Sequence, residues 1–497
     1  MKNYISYFIK SITIISALLL QSCNETLDLY PITDKVVPPQ DEQILKTVAE
    51  AEGAMNNIYS SFGIEYWQFD YFYLGDGGTD VAYAGADVPE FFQIDEYRIN
   101  ATNYVVARDW NHMSNFIKNC NLVINYINGV TDANLSQERK DEMIGEASLF
   151  RALTRFMAVQ TWGDYPLINS TITSVNAANF DSLYPDLYPS RKPVAEVYDA
   201  IIADCEVAIE KAPNSTSSPE SKFRGSKGAA HALLAKVYAT KPNPDWAKVI
   251  EHSNAVINGG YNLLTTYDHL FDNLHEGNAE SIWEVNGEGQ SSLINSWCTD
   301  VFLGTNWKKF NTPSHTLNNS LDTKRKASTI KRLPTTFSDP YWTSYIQFPH
   351  PWKMRKSDGT QNFYILRLAD ILLIKAEALA RTGDLSGAMT LVNQVRSRVT
   401  LPNVAPATSE DDAINKILKE RFMELAFEGH RWFDLKRTGK SIEILSQQTY
   451  PVYNPVTQVS TDTPMSYIGN LTSKDLLWPI PQAVLDNNQN LTQNPGY

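Results

Sequence analysis

Cysteine is nearly missing, with 4 residues in a chain of 497. So few exclude a scaffold stapled by disulfides, and the spacing of Cys120, Cys205 and Cys298 fits no metal site. Cys120 in NFIKNCNLVINYI and Cys205 in AIIADCEVAIEKA lie on apolar helical stripes, so buried free thiols are expected. Basic charge is also short. Against 56 Asp and Glu stand 43 Lys and Arg, a formal net charge of −13. No region clusters the Lys and Arg needed to neutralise phosphates, which excludes nucleic acid as the natural partner. GDGGTD at 75–80 lacks the Lys-Ser/Thr of a phosphate-binding loop. No loop carries the regular acidic spacing of a calcium site. Neither a cofactor nor a metal is expected.

Long apolar runs are absent except near the start. MKNYISYFIK carries two lysines, SITIISALLL is apolar, and QSC follows. That order reads as a secretory signal, and the apolar stretch is too short to span a bilayer. Leu20-Gln21-Ser22-Cys23 places Cys23 where a bacterial lipoprotein signal has its lipidated cysteine, although Gln21 is bulkier than usual there. The expected organisation is a signal peptide over 1–22 and a single domain over 23–497, anchored to the membrane only through lipid. An N-terminal part reaches to about 330, and a C-terminal part covers 331–497.

What is present is helical periodicity and aromatics. In ILRLADILLIKAEALARTGD, residues Ile365, Leu368, Ala369, Leu372, Ala376, Leu379 and Ala380 share a face, with Ile371, Ile374 and Ala378 on a second. This helix should be buried on two sides. Gly383 suits a left-handed helix end and Asp384 a helix start. Ala388, Leu391, Val392, Val395 and Val399 then continue as a second helix, which makes a hairpin of the tetratricopeptide type. Similar pairs are SKGAAHALLAKVYA with DWAKVIEHSNAVINGG, EMIGEASLFRALTRFMAVQTWG with PVAEVYDAIIADCEVAIEKA, and QILKTVAEAEGAMNNIYSSF with HMSNFIKNCNLVINYI. Between them lie large inserts rich in aromatics, Asn, Ser and Gly, at 63–110 and 287–362. ESIWEV at 280–285 reads as a short buried strand. The fold class is all-α dominated, with helical hairpins, loop-rich inserts and a few short strands.

Several separated segments carry a resemblance. They are EASLFRALTRFMAVQTWGDYPLI, FRGSKGAAHALLAKVYA, YILRLADILLIKAEALARTGD, NQVRSRV, ERFMELAFEGHRWFDLKRTG and LLWPIPQAVLDNNQNLTQNPGY, in this order. Together they resemble the SusD/RagB family of outer-membrane nutrient-binding lipoproteins. Lys375 departs from the aromatic or methionine often found there. The resemblance implies four tetratricopeptide-like units forming a cradle. It also implies a surface-exposed, non-catalytic protein that captures oligosaccharides or polysaccharide for a SusC-like TonB-dependent transporter.

The densest polar stretch, ELAFEGHRWFDLKR at 424–437, offers two carboxylates, a histidine and arginines. Glycosidic catalysis needs two carboxyls separated across a cleft, which adjacent charges on a short helical hairpin do not provide. Arg421, three residues from Glu424 and seven from Glu428, reads instead as their tie along one helical face that Gly429 ends. The stretch reads as scaffold.

Sugars ask for aromatic platforms beside a few hydrogen-bonding groups. The family builds its site from one early and one middle loop region, here 65–104 and 287–310. That implies Trp67, Tyr83 and Phe92 as platforms with Asp76 and Asp80, and Trp297 and Trp307 with Asn306. Trp283 is assigned to the buried strand, and Trp110, Trp162, Trp432 and Trp478 to the core. The alternatives are a peptide-binding member of the same family, a helical-toroid glycoside hydrolase, and an assembly adaptor.

Overall fold

The computed structural model describes residues 44–497 apart from 86–87, 216–217, 290, 304–309, 337–338, 340 and 344–345. Residues 172–187 cluster apart from the main unit, which comprises 43–171 and 188–497. The described part of the small unit holds the helix Phe180–Leu187, where the rings of Phe180 and Tyr184 meet edge to face.

The main unit is built on helix pairs. α1 (Val48–Ser60) packs with α2 (Tyr104–Tyr126), and α3 (Gln137–Trp162) with α4 (Val194–Lys211). α5 (Lys227–Thr240) packs with α6 (Trp246–Ile257), and α7 (Leu368–Arg381) with α8 (Leu385–Arg398). The starts follow from capping chemistry. The side chains of Thr47, Asn103, Ser136, Ser226, Asp245 and Asp384 each accept an amide of the first turn that the helix itself leaves unpaired. Gly383, at φ +93°, ends α7 as expected.

α7 is buried on both faces. Ile374 and Ala378 join Ala235, Ala239 and Val249 of α5 and α6, while Leu372 and Ala376 belong to the main core. α3 is buried without interruption from Met143 to Trp162. Its charges survive there because they are paired. Arg151 and Arg155 both reach Asp204 of α4, at 2.6–3.0 Å. Gly145 lets α4 close in, since a Cβ there would stand 2.2 Å from the Ala212 amide nitrogen.

The strands form two-stranded antiparallel pairs. Numbered along the chain, β1 (Ala82–Tyr83) pairs with β3 (Thr312–Pro313), and β4 (Ile330–Leu333) with β5 (Phe348–Pro351). β2 (Ser281–Val285) pairs with β6 (Phe363–Arg367), and β7 (Thr449–Asn454) with β8 (Val459–Pro464). β2 is buried along its length, Trp283 included, as its sequence implies. Cys120, Cys205 and Cys298 are buried and free.

The early insert differs from its expectation. YWQFD at 66–70 is a π-helical turn that runs into the helix Tyr71–Asp76, and every residue of both is buried. The aromatics that read as loop composition are core: Trp67 packs edge-on against Phe62, Tyr66 and Phe150, with centroids 5.0–6.0 Å apart.

Burial also sets a pH dependence. Desolvation pushes Asp95 up to about 8, against backbone amides of Ala84 and Gly78 that favour its charged form. A carboxyl held above its unfolded value of about 3.9 stays protonated in the fold while the unfolded chain ionises. Its share of stability is therefore full below about pH 4 and falls as pH rises towards 8. Asp95→Asn keeps an oxygen for the amides and does not ionise. Relative to the parent it should gain stability between pH 5 and pH 8.5, read from urea midpoints; an equal offset at both values would refute the assignment.

Candidate functional site

The 424–437 stretch is a structural knot tied around buried charges. α9 (Glu410–Glu424) stops at Glu424, five residues before the glycine expected to end it. Phe427 (φ +64°) and Gly429 (φ +78°) turn the chain so that Glu424 and Glu428 both point inwards, and α10 (Arg431–Arg437) follows. Arg367, at the end of β6, lies between them. It donates to Glu428 at 2.6 and 2.8 Å, to Glu424 at 2.7 Å and to Glu280 at 2.8 Å. Arg398 reaches Glu280 at 2.8 Å and also pairs with Glu424. Lys353 holds Glu428 at 2.6 Å, and Arg325 holds Glu420 at 2.5 Å.

Four cations thus face four carboxylates in the interior, which is how buried charge is tolerated. Burial opposes ionisation of Glu424, but Arg398, Arg325 and Arg367 overcome it and hold the carboxyl well below its usual range. Burial pushes His430 down to about 3, so it is neutral. The carboxylates at its centre, Glu280, Glu420, Glu424 and Glu428, are all buried.

The expected tie from Arg421 to Glu424 and Glu428 is replaced. Arg421 pairs with Asp370 at 2.6 Å and with Asp434 at 2.7 Å, because the helix ends before the second carboxylate comes round. GDGGTD completes the knot. Asp76 accepts the Gly429 amide at 2.7 Å, and Asp80 takes both ends of Arg431 at 2.7 and 2.8 Å. A Cβ on Gly75 would stand 2.1 Å from the Gly429 backbone, so only glycine fits.

Of the residues expected to meet a ligand, four are corrected. Trp67 is fully buried in the aromatic core. Tyr83 is buried on β1, donating to Asp339 at 2.7 Å. Asp76 and Asp80 are buried and spent on Gly429 and Arg431. A face already covered by protein offers no platform. Phe92 and Trp297 are half-buried and pack on the main core. Trp297 donates its indole N–H to the Gly63 carbonyl at 3.3 Å. Asn306 and Trp307 lie outside the described residues, as do Cys23 and the 1–22 leader. Trp110, Trp162 and Trp478 are core, and Trp432 is partly buried beside Leu435 and Tyr467.

An open cleft of about 500 Å³ lies between the last turns of α1, residues 223–224 and the chain after β2. Tyr59 and Phe223 give it half-buried rings, Leu293 an exposed apolar side chain, and Asn56, Arg224, Asn286, Glu288 and Ser292 give it polar groups. Its walls are fixed. The Tyr59 hydroxyl donates to Glu146 at 2.5 Å and accepts the Gly225 amide at 3.0 Å, while Arg224 holds Glu146 at 2.8 Å. Gly287 donates to Asn362 at 2.8 Å, and Glu288 to the Ile294 carbonyl at 2.8 Å.

Gly63 lets this loop approach, since a Cβ there would meet the Leu293 carbonyl at 1.8 Å. Glu288, Ser292 and Leu293 fall in the middle loop region expected from the sequence, 287–310, but none of these residues was singled out there. The ring of Tyr59 sits at a helix end, where its spacing reads as an ordinary core position.

Helix pairs around a buried charge network, with an open polar–aromatic cleft beside them, define a protein of tetratricopeptide-like helical fold. Among the described residues no helix is long and apolar enough to cross a membrane. Residues 296–497 match the model of the SusD family, and 70–239 match a model described as "Starch-binding associating with outer membrane". The chain belongs to the SusD/RagB family.

It is 25% identical to SusD-like protein P2 of Formosa agariphila, across 92% of this chain and 94% of that one. It is 26% identical to a SusD-like protein of Bacteroides ovatus, across 84% and 80%. Among solved structures it resembles a laminarin-binding SusD-like protein with a TM-score of 0.72 and 25% identity, covering 91% of this chain and all of that one. A SusD-like protein of Bacteroides fragilis matches in fold with a TM-score of 0.74 at 20% identity, across 92% and 98%.

Proposed function

We propose that the protein is a glycan-binding lipoprotein, anchored through Cys23 at the outer membrane and exposed at the cell surface. It captures oligosaccharide or polysaccharide and passes it, uncut, to a TonB-dependent transporter of the SusC kind. The observation that carries the reading is the open cleft, where rings of Tyr59 and Phe223 stand beside amides and carboxylates suited to sugar hydroxyls. The laminarin-binding structural relative and the family's outer-membrane description support it. Tyr59, Phe223, Asn56, Asn286 and Glu288 form the proposed contact set. Trp297 anchors the loop wall through Gly63. Phe92, together with Asn306 and Trp307, which lie outside the described residues, are further proposed contacts in the two loop regions.

Binding without cleavage fits the state of Glu52 in the cleft. Glu52 is gripped by Arg139 at 2.9 Å through both oxygens, and that hydrogen bonding lowers its pKa. A glycosidic general acid must instead hold a proton near neutrality. The charges of Arg224 and Glu288 favour a second reading, capture of peptides through their termini.

Native gels containing a panel of plant, microbial and host polysaccharides decide between these, with a reducing-end assay on the same mixtures. Retardation by a polysaccharide without new ends is expected. Phe223→Ala should weaken that retardation about tenfold, the loss of roughly one stacking contact. New reducing ends would overturn the non-catalytic reading. Binding of peptides but of no glycan would move the assignment to the second.

A further inference from the structure

A second cluster lies in the segment before β2, away from the lining of the cleft. YDHLFDNLHEG at 267–277 puts a histidine, an aspartate and a histidine at intervals of three residues. Tyr267, Leu270 and Phe271 are buried in a small apolar cluster, which turns His269 and Asp272 outwards. His269 and Asp272 are half-buried and His275 exposed, and one donor atom from each lies within 4.8 Å of the others. The two imidazoles stack nearly parallel with centroids 3.8 Å apart. Asp272 accepts from or faces His275 Nδ1 at 2.8 and 3.1 Å and also accepts the Leu274 amide at 2.9 Å.

The segment is pinned on both sides. The Tyr267 hydroxyl donates to the Glu424 carbonyl at 2.9 Å, and Tyr364 donates to the Leu270 carbonyl at 2.9 Å. Asn273, at φ +60°, donates to the Thr360 carbonyl at 3.2 Å. Glu276 accepts the Asn362 amide at 2.7 Å, and Gly277 donates to Glu284 at 2.9 Å. Neighbouring Asp268 is taken up by Arg355 at 2.9 and 3.1 Å. Three donors of metal-binding type are therefore gathered on a rigid loop.

We infer that His269, Asp272 and His275 form a Zn²⁺-binding site, a departure from the sequence reading, which expected no metal. Two imidazole nitrogens and one carboxylate oxygen are ligands that Zn²⁺ takes, at bonds of about 2.0–2.2 Å. Tetrahedral bonds of that length put donors about 3.3–3.5 Å apart. Reaching that spacing from the present one takes re-orientation of the exposed His275 ring out of its stack on half-buried His269. The fourth position is open to water. Calcium and magnesium are excluded by donor type, since they take mainly oxygen and the cluster offers a single carboxylate. The site is independent of the glycan reading, because none of its residues lines the cleft.

The test titrates the full chain, carrying no polyhistidine tag, with ZnCl₂ by calorimetry and by metal analysis after gel filtration. One Zn²⁺ per chain is expected, with no heat from CaCl₂ or MgCl₂. His275→Ala lies at an exposed position and should leave the urea midpoint unchanged. Its Zn²⁺ affinity should drop by more than the roughly 10–100-fold typical of losing an outer-sphere partner. Asp272→Asn, which retains an acceptor for the Leu274 amide, should act in the same direction. Undiminished Zn²⁺ binding by the double variant His269→Ala with His275→Ala would overturn the inference, as would a parent protein that retains none.

Discussion

Arg367→Ala is expected to lower the free energy of unfolding by about 3–5 kcal/mol, the range for breaking a buried ion pair by removing one partner. Arg367 is 1% exposed, and its guanidinium satisfies Glu280, Glu424 and Glu428 together. Without it Glu428 keeps Lys353, Glu280 keeps Arg398, and Glu424 keeps Arg398 and Arg325, but each of the three buried carboxylates loses a charged donor. The loss comes less from the attraction removed than from charge left desolvated. For that reason Arg367→Met combined with Glu428→Gln should recover part of it.

Urea denaturation followed by near-ultraviolet circular dichroism reads both variants. An Arg367→Ala midpoint equal to the parent's would show that the network is not holding the fold. Acid should act on the same groups. Glu424 and Glu428 are held below the ordinary carboxylate range, with burial opposing and Arg398 and Arg367 respectively foremost in lowering them. Their contribution is present above the unfolded pKa of about 4.3 and is lost as pH falls through the folded values.

Trp67→Ala carries a comparable effect and separates two roles for one residue. As an exposed sugar platform, Trp67 would cost binding and little stability when truncated. Its ring is 0% exposed and lies 5.0–6.3 Å from those of Phe62, Tyr66, Tyr71, Phe116 and Phe150. Removing it leaves a cavity that this cluster closes only in part, at a cost of about 3–5 kcal/mol. The expected result is a lowered urea midpoint with glycan retardation unchanged at temperatures where the variant is folded. Lost retardation at an unchanged midpoint would restore the platform role.

These two residues also show where sequence reasoning reached and where it stopped. A lone arginine in FYILRLADILLIKA stands inside a continuous apolar run, and a buried charge demands partners, so Arg367 was detectable as a structural cation. Its partners were not, because Glu280, Glu424 and Glu428 come from other elements that only the folded chain brings within 3 Å. The aromatic run YWQFDYFY carries no 3.6- or 2-residue alternation that assigns an inner face. All of its rings turned out to be inside.

The sequence by itself determined the paired helices, the turn at Gly383 and Asp384, the buried strand around Trp283, the free thiols and the family, since periodicity, capping and ordered motifs are local properties. Tertiary structure decided which carboxylates are spent on arginines, and that Asp76 and Asp80 clasp Gly429 and Arg431 about 350 residues away. It also decided that the open cleft joins the end of α1 to the loop after β2. Exposure and long-range pairing depend on what covers each residue, and what covers it comes from elsewhere in the chain.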